Sequence, residues 1–246
     1  MAIEVKHLGD RGPALVLLHG SLNDGSVAFQ AQTVLAERWR LVIPNRRGYG
    51  NNPPIERVDV DADARDVVEL LGDGAHLVGT SMGGIVAGRA AALAPERILS
   101  LTLIEPPAFL NASEVPAVAE TGAAMKRHCE VADRKDVGAF IGGFLKALGI
   151  QMAVPSPLPP HVLIAARNLM SEVPWQMSIP TAAIDGAPYR KAVVSGTSCA
   201  ALEAICDRLG EQIHAQRRVF PNAGHAVQRI GTPFNEFLEP FLLGTA

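Results

Sequence analysis

Residues 75–84 read Ala75-His76-Leu77-Val78-Gly79-Thr80-Ser81-Met82-Gly83-Gly84, and this stretch decides the fold. An apolar run of strand length stops at Gly79. A Gly/Ala-rich helical pattern over 83–94 follows at once and ends before Pro95. Ser81 therefore falls on a sharp strand-to-helix turn. A serine hydroxyl is a weak nucleophile and must be exposed, near a base, and facing a site for developing negative charge. Such a turn meets these needs. The glycines on either side remove side chains that would collide there, and the helix start offers backbone N–H groups that the helix itself does not use. The bare Gly-x-Ser-x-Gly spacing also describes a glycine-rich turn with a hydroxyl cap. The strand before it and the helix after it favour the nucleophile reading.

Working outward, residues 14–18, 40–44, 99–104, 190–195 and 216–220 are further short runs, all but the last rich in Leu, Val and Ile, each bounded near Gly, Pro, Asn or Ser. They read as buried strands of a mostly parallel sheet. Helical spacing occupies 27–38, 59–71, 199–209 and 234–243, with Asp59 or Asp61 placed to start the second. The alternation predicts an α/β fold with a doubly wound sheet. It breaks between about Pro106 and Ala187, where helices are expected near 113–130, 134–148 and 159–171 with proline-rich joints. The expected organisation is a core of 1–105 and 187–246 with a helical cap insertion at 106–186.

The 246 residues are 48% hydrophobic and carry a formal net charge of −3, enough for one large core and without the basic excess that nucleic acid or an anionic membrane would ask for. No run approaches the roughly 20 apolar residues of a membrane helix. MAIEVKHLGD does not read as a secretory signal. Cys129, Cys199 and Cys206 fit neither a metal site nor a disulfide framework, so a reducing cytoplasm is the expected setting. The composition says nothing of oligomeric state.

Two other stretches carry chemistry. His19-Gly20-Ser21 follows the first buried strand and can present a backbone N–H beside the nucleophile; the Ser21 and Met82 N–H groups form the expected oxyanion pair. His19 itself reads as a structural brace for that turn. Asn222-Ala223-Gly224-His225 follows the last strand, and His225 is the histidine placed to act as base.

Together with the turn Asn45-Arg46-Arg47-Gly48-Tyr49-Gly50, these motifs resemble the series found in serine hydrolases of the α/β-hydrolase fold. The resemblance spans nearly the whole chain and is weakest in the insertion, which would be the family's cap. It implies a Ser81–His225 pair completed by an acid. Asn45 stands where the family often has Asp, a structural position. The family's acid usually follows the strand at 190–195, but Ser195-Gly196-Thr197-Ser198-Cys199 contains no carboxylate. Glu203 and Asp207 come next, on one face of the following helix, where a solvated face is the favoured reading. Glu105 is the preferred acid. It ends the strand after the nucleophile helix, which should bring it to the sheet edge of Ser81 and His225. Zearalenone-type lactonases are similar in this acid position and in a cap tryptophan near a proline, like Pro174-Trp175, which makes Trp175 the expected substrate contact.

The expected activity is hydrolysis of an apolar small-molecule ester or lactone through an acyl-enzyme, with no metal or cofactor. Another chemistry on the same scaffold (C–C hydrolase, hydroxynitrile lyase, perhydrolase) and a slow ligand receptor are the alternatives. The empty 195–199 loop is the only feature that favours the receptor.

Overall fold

The computed structural model describes residues 3–245. Seven strands form one sheet: β1 (Val5–Leu8), β2 (Ala14–Leu18), β3 (Arg40–Pro44), β4 (Ala75–Thr80), β5 (Ile98–Ile104), β6 (Arg190–Ser195) and β7 (Gln216–Val219). Their spatial order is β1-β3-β2-β4-β5-β6-β7. Every pairing is parallel except β1 with β3. The sequence reading has no strand at 5–8. Only four residues long, and exposed at Lys6 and His7, this edge strand carries no apolar run to announce it.

The side chains of the central strands divide by alternation. Val16 and Leu18 of β2, Leu77 of β4 and Leu101 and Leu103 of β5 face one layer. Leu15 and Leu17 of β2, Val78 of β4 and Ile104 of β5 face the other. Both layers are covered, so the strands are apolar on both faces, as parallel strands between helices must be.

The first layer is closed by α2 (Val60–Leu70), α3 (Met82–Leu93) and α8 (Ala200–Gln212), and the second by α1 (Gly25–Ala28), a 3₁₀ stretch Gln30–Glu37 and α9 (Thr232–Leu243). Asp59 caps α2 by accepting from the Asp61 and Ala62 N–H groups at 3.0 Å each. It presents Val60, Ala64 and Val67 to the sheet. The single helix expected at 27–38 is instead α1 followed by the 3₁₀ stretch, which seats Phe29 and Leu35 in the second layer.

Between β5 and β6 the chain forms α4 (Pro116–Val131), α5 (Val137–Leu148), α6 (Pro160–Leu169) and the short α7 (Thr181–Asp185). Met125, Phe140 and Ile179 of this segment join the same apolar cluster as Leu77 and Leu101. Among the described residues no helix is long and apolar enough to cross a membrane.

The architecture fixes where a site can form. The segment after β2 goes to one face of the sheet and α3 after β4 to the other. A crevice must open at the carboxyl ends of these two adjacent strands.

Candidate active site

Ser81 occupies that crevice. Its backbone has φ 52° and ψ −127°, a conformation that costs a non-glycine residue of order 1–3 kcal/mol and persists only where surrounding contacts impose it. Here the Ser81 N–H donates to the Ile104 carbonyl (2.8 Å), and the Ser81 carbonyl accepts from Gly84 N–H (2.8 Å). A Cβ at Gly83 would collide with the Leu18 and His19 carbonyl oxygens. The first turn of α3 is thus pressed onto the loop after β2. Met82, first residue of α3, has its side chain fully buried; its N–H belongs to the turn whose donors the helix does not use.

Glu105 follows β5 directly, with φ 40° and full burial. Its own N–H donates to the Val194 carbonyl of β6 (3.0 Å). Oε1 accepts from Gly196 N–H (2.8 Å), and Oε2 from the Ser198 hydroxyl (2.6 Å). His225 Nδ1 lies 2.7 Å from the same Oε2. Burial pushes the carboxyl pKa up, but the bonds from His225, Ser198 and Gly196 outweigh it and hold the group below its ordinary range. Glu105 is therefore a carboxylate that fixes Nδ1 as the protonated nitrogen of a neutral His225 and leaves Nε2 as the basic one.

His225 is held by contact between two loops. Gly224 N–H donates to the Gly196 carbonyl (3.0 Å), and Asn222 N–H to Thr197 Oγ1 (2.9 Å). A Cβ at Gly196 would strike the Gly224 carbonyl oxygen. The loop without a carboxylate thus has a different duty: it supplies donors to Glu105 and a seat for His225. Ser198 and Gly196 escaped the sequence reading because a missing acid draws attention away from the donors that a displaced acid would need. The other carboxylates are engaged elsewhere. Glu203 accepts from the Ser195 hydroxyl (2.9 Å), Thr197 N–H (3.0 Å) and Arg217 (2.9 Å), and Asp207 pairs with Arg217 (2.9 Å).

Ser21, Ser81 and His225 line one cavity of about 560 Å³. Its apolar wall includes Leu22 and Leu169, with Phe144, Leu145 and Leu148 of α5 and, beyond it, Ile150 and Met152. Among the described residues no hydrogen bond joins Ser81 Oγ to His225; such bonds often tighten only when substrate is bound. No cluster of potential metal ligands occurs among the described residues.

Trp175 is not among the residues lining this cavity, which corrects the expectation for it. It packs beside Gly122 of α4 and Phe109, at a separate cleft of about 180 Å³. Gly122 leaves room on α4 for the Phe109 ring and the Trp175 Cβ. A tryptophan beside a proline signals buried bulk but not the face that receives it.

Behind the cavity lies a polar cluster of which the sequence reading assigned only His19, as a brace. His19 is fully buried, and its pKa is lowered to about 3, first by burial and then by the charge of Arg46. His19 Nε2 accepts from Arg46 N–H (3.0 Å), so Nδ1 carries the proton and donates to the Gly20 carbonyl (2.8 Å). This is the structural brace expected of it. His76, buried beside Trp39, is lowered to about 4 by burial and then by Arg190. Both histidines are neutral when folded and take up a proton when unfolded below their ordinary pKa of 6.5. Their contribution to stability is complete above pH 6.5 and is lost as pH falls toward 4 and 3. At pH 5 each should cost about 2 kcal/mol relative to pH 7.5. Urea unfolding at the two pH values checks this, and His76→Gln should remove about half of the difference. Equal stability at both pH values would contradict it.

Comparison with known proteins agrees with this architecture. Residues 13–182 match the α/β-hydrolase fold family, and the chain belongs to it. A pimeloyl-[acyl-carrier protein] methyl ester esterase of Aeromonas hydrophila is 37% identical over 122 residues, 48% of each chain; the match thus spans about half the length of that relative. Lipase LipV of Mycobacterium tuberculosis is 30% identical over 188 residues, 72% of this chain and 67% of the lipase. A solved structure of Est816, described as an N-acyl homoserine lactone degrading enzyme, superposes with a TM-score of 0.67 at 24% identity, covering 97% of this chain and 96% of that one. At that identity the likeness concerns the fold alone.

Proposed function

We propose that this protein is a serine hydrolase that cleaves a carboxylic ester or lactone of an apolar small molecule. The observation that carries the reading is the buried Glu105 carboxylate, 2.7 Å from His225 Nδ1, at the end of the strand that anchors the Ser81 turn. In this reading His225 Nε2 takes the Ser81 proton as Oγ attacks the substrate carbonyl. The tetrahedral oxyanion is met by the Ser21 and Met82 N–H groups. His225 then gives the proton to the departing alkoxide, which leaves as alcohol. Water, deprotonated by His225, cleaves the acyl-enzyme to the acid and restores Ser81. Glu105 stays ionised throughout and stabilises the imidazolium.

The apolar cavity wall supports an apolar acyl or alcohol group. The segment 106–186 acts as the cap, because α5 supplies much of that wall. The names of the similar esterase and lipase favour acyl transfer to water over C–C cleavage or lyase chemistry, and the proposed setting is the cytoplasm. The receptor alternative loses its one support, since Glu105 occupies the role left empty by the 195–199 loop.

A fluorophosphonate probe at neutral pH, followed by mass spectrometry of peptides, should place the adduct on Ser81. No adduct there would overturn the reading. A panel of esters and lactones, with product identification, then defines the substrate.

A further inference from the structure

We propose that Glu172 is a positioning residue for the oxyanion donor of the loop after β2, which ties the segment between β5 and β6 to the rate of the chemical step. The proposal rests on the serine-hydrolase reading above.

Glu172 lies just beyond α6 and is 2% exposed. Both carboxylate oxygens are used as acceptors toward the core. Oε2 receives the Ser21 hydroxyl at 2.5 Å. Oε1 receives Arg46 Nη2 at 3.2 Å and lies 3.2 Å from the Tyr49 hydroxyl. That hydroxyl is also 3.1 Å from the Ser21 carbonyl oxygen, and it accepts from Arg46 Nη2 at 3.0 Å. Arg46 reaches on to the Gly20 carbonyl at 3.2 Å, where His19 Nδ1 also donates.

These bonds converge on the peptide between Gly20 and Ser21. In a trans peptide the N–H points opposite to the C=O. Two donors on the Gly20 carbonyl therefore set the direction of the Ser21 N–H. The loop is also pressed on the nucleophile, for a Cβ at Gly20 would lie 2.9 Å from Ser81 Cβ. A small rotation of this peptide would move the donor relative to any oxyanion on Ser81. Glu172 opposes it twice, by holding the Ser21 hydroxyl and by holding the guanidinium that holds Gly20. Asp63 is the second anion on Arg46, at 3.4 Å, but it makes no hydrogen bond to Ser21.

A glutamine at 172 carries no charge for Arg46, and with its oxygen toward Arg46 its amide nitrogen must donate to the Ser21 hydroxyl, which reverses that bond. Glu172→Gln should lower kcat about tenfold to a hundredfold, less than or near the loss of one oxyanion donor, with KM within about twofold. Affinity for a trifluoromethyl ketone analogue of the substrate, which forms a tetrahedral adduct on serine, should fall by the same factor. Affinity for the unreactive amide analogue should not change. Ser21→Ala keeps the N–H, removes only the hydroxyl, and should show the same pattern at about threefold to tenfold. Combining both changes should cost less than the product of the two.

Unchanged kcat and ketone affinity in folded Glu172→Gln would overturn the proposal, as would an effect on KM alone. If that variant does not fold, the same two outcomes in Ser21→Ala decide it. Wild-type protein without hydrolase activity or Ser81 labelling would overturn both this proposal and the functional reading. An active wild type with an unaffected variant overturns this one alone.

Discussion

Ser81→Ala should lose about 10⁴- to 10⁶-fold in kcat on any ester that the wild type cleaves, with little change in melting temperature. The two halves of this expectation have separate grounds. The rate falls because alanine has no oxygen to form the acyl-enzyme. What activity remains comes from the cavity and the oxyanion donors acting on water. Stability is kept because the conformation of residue 81 is imposed by backbone bonds to Ile104 and Gly84, which alanine preserves. Alanine also meets the same positive φ as serine and adds no strain. Thermal unfolding and progress curves on one preparation would measure both. Retained hydrolysis at more than a few per cent would mean that Ser81 is not the nucleophile.

Glu105→Gln should lower kcat by about 10³- to 10⁴-fold. Glutamine has nearly the shape of glutamate but no charge, so it does not stabilise the imidazolium. It also offers either an oxygen or an N–H₂ to His225, and the latter selects the wrong tautomer. The carboxylate has a further measurable sign. Its pKa is depressed below the ordinary 4.5, so its stabilising contribution is complete above that pH and is lost as pH falls through the lower folded value. The variant should therefore show a shallower loss of stability below pH 4.5. Glu203→Gln and Asp207→Asn are the controls. Both residues bind Arg217, and their loss should affect melting more than rate. A thousandfold loss of kcat in either, with Glu105→Gln active, would move the acid assignment to that residue.

Much of the fold was legible because a doubly wound parallel sheet writes itself in near-continuous apolar runs, and five of the seven strands have one. The four-residue edge strands β1 and β7 do not, because an exposed edge strand needs no such run. The placement of Ser81, Glu105 and His225 was legible for another reason: the first two follow a strand directly and the third lies in the loop after the last strand, so position along the chain translates into position at the sheet's carboxyl edge. Glu172 follows a helix in a segment with no such rule. Its approach to Ser21, 151 positions away in the chain, is decided by how α6 packs. Trp175 misled for the same cause, since the insertion's sequence records bulk and not direction.

The bonds around Glu105 have a wider consequence. The proposed nucleophile and acid both belong to the single unit β4–α3–β5, and their relative placement is internal to one short length of backbone. The 195–199 loop, spared a charged duty, gives Glu105 a glycine N–H and a serine hydroxyl and receives the 222–225 loop on the Gly196 carbonyl and Thr197 Oγ1. The apolar wall at Phe144, Leu148 and Met152 lines the cavity and has no part in these bonds. Selectivity can therefore drift at that wall, in nature or by design, while the proposed pairing of acid and base is inherited intact.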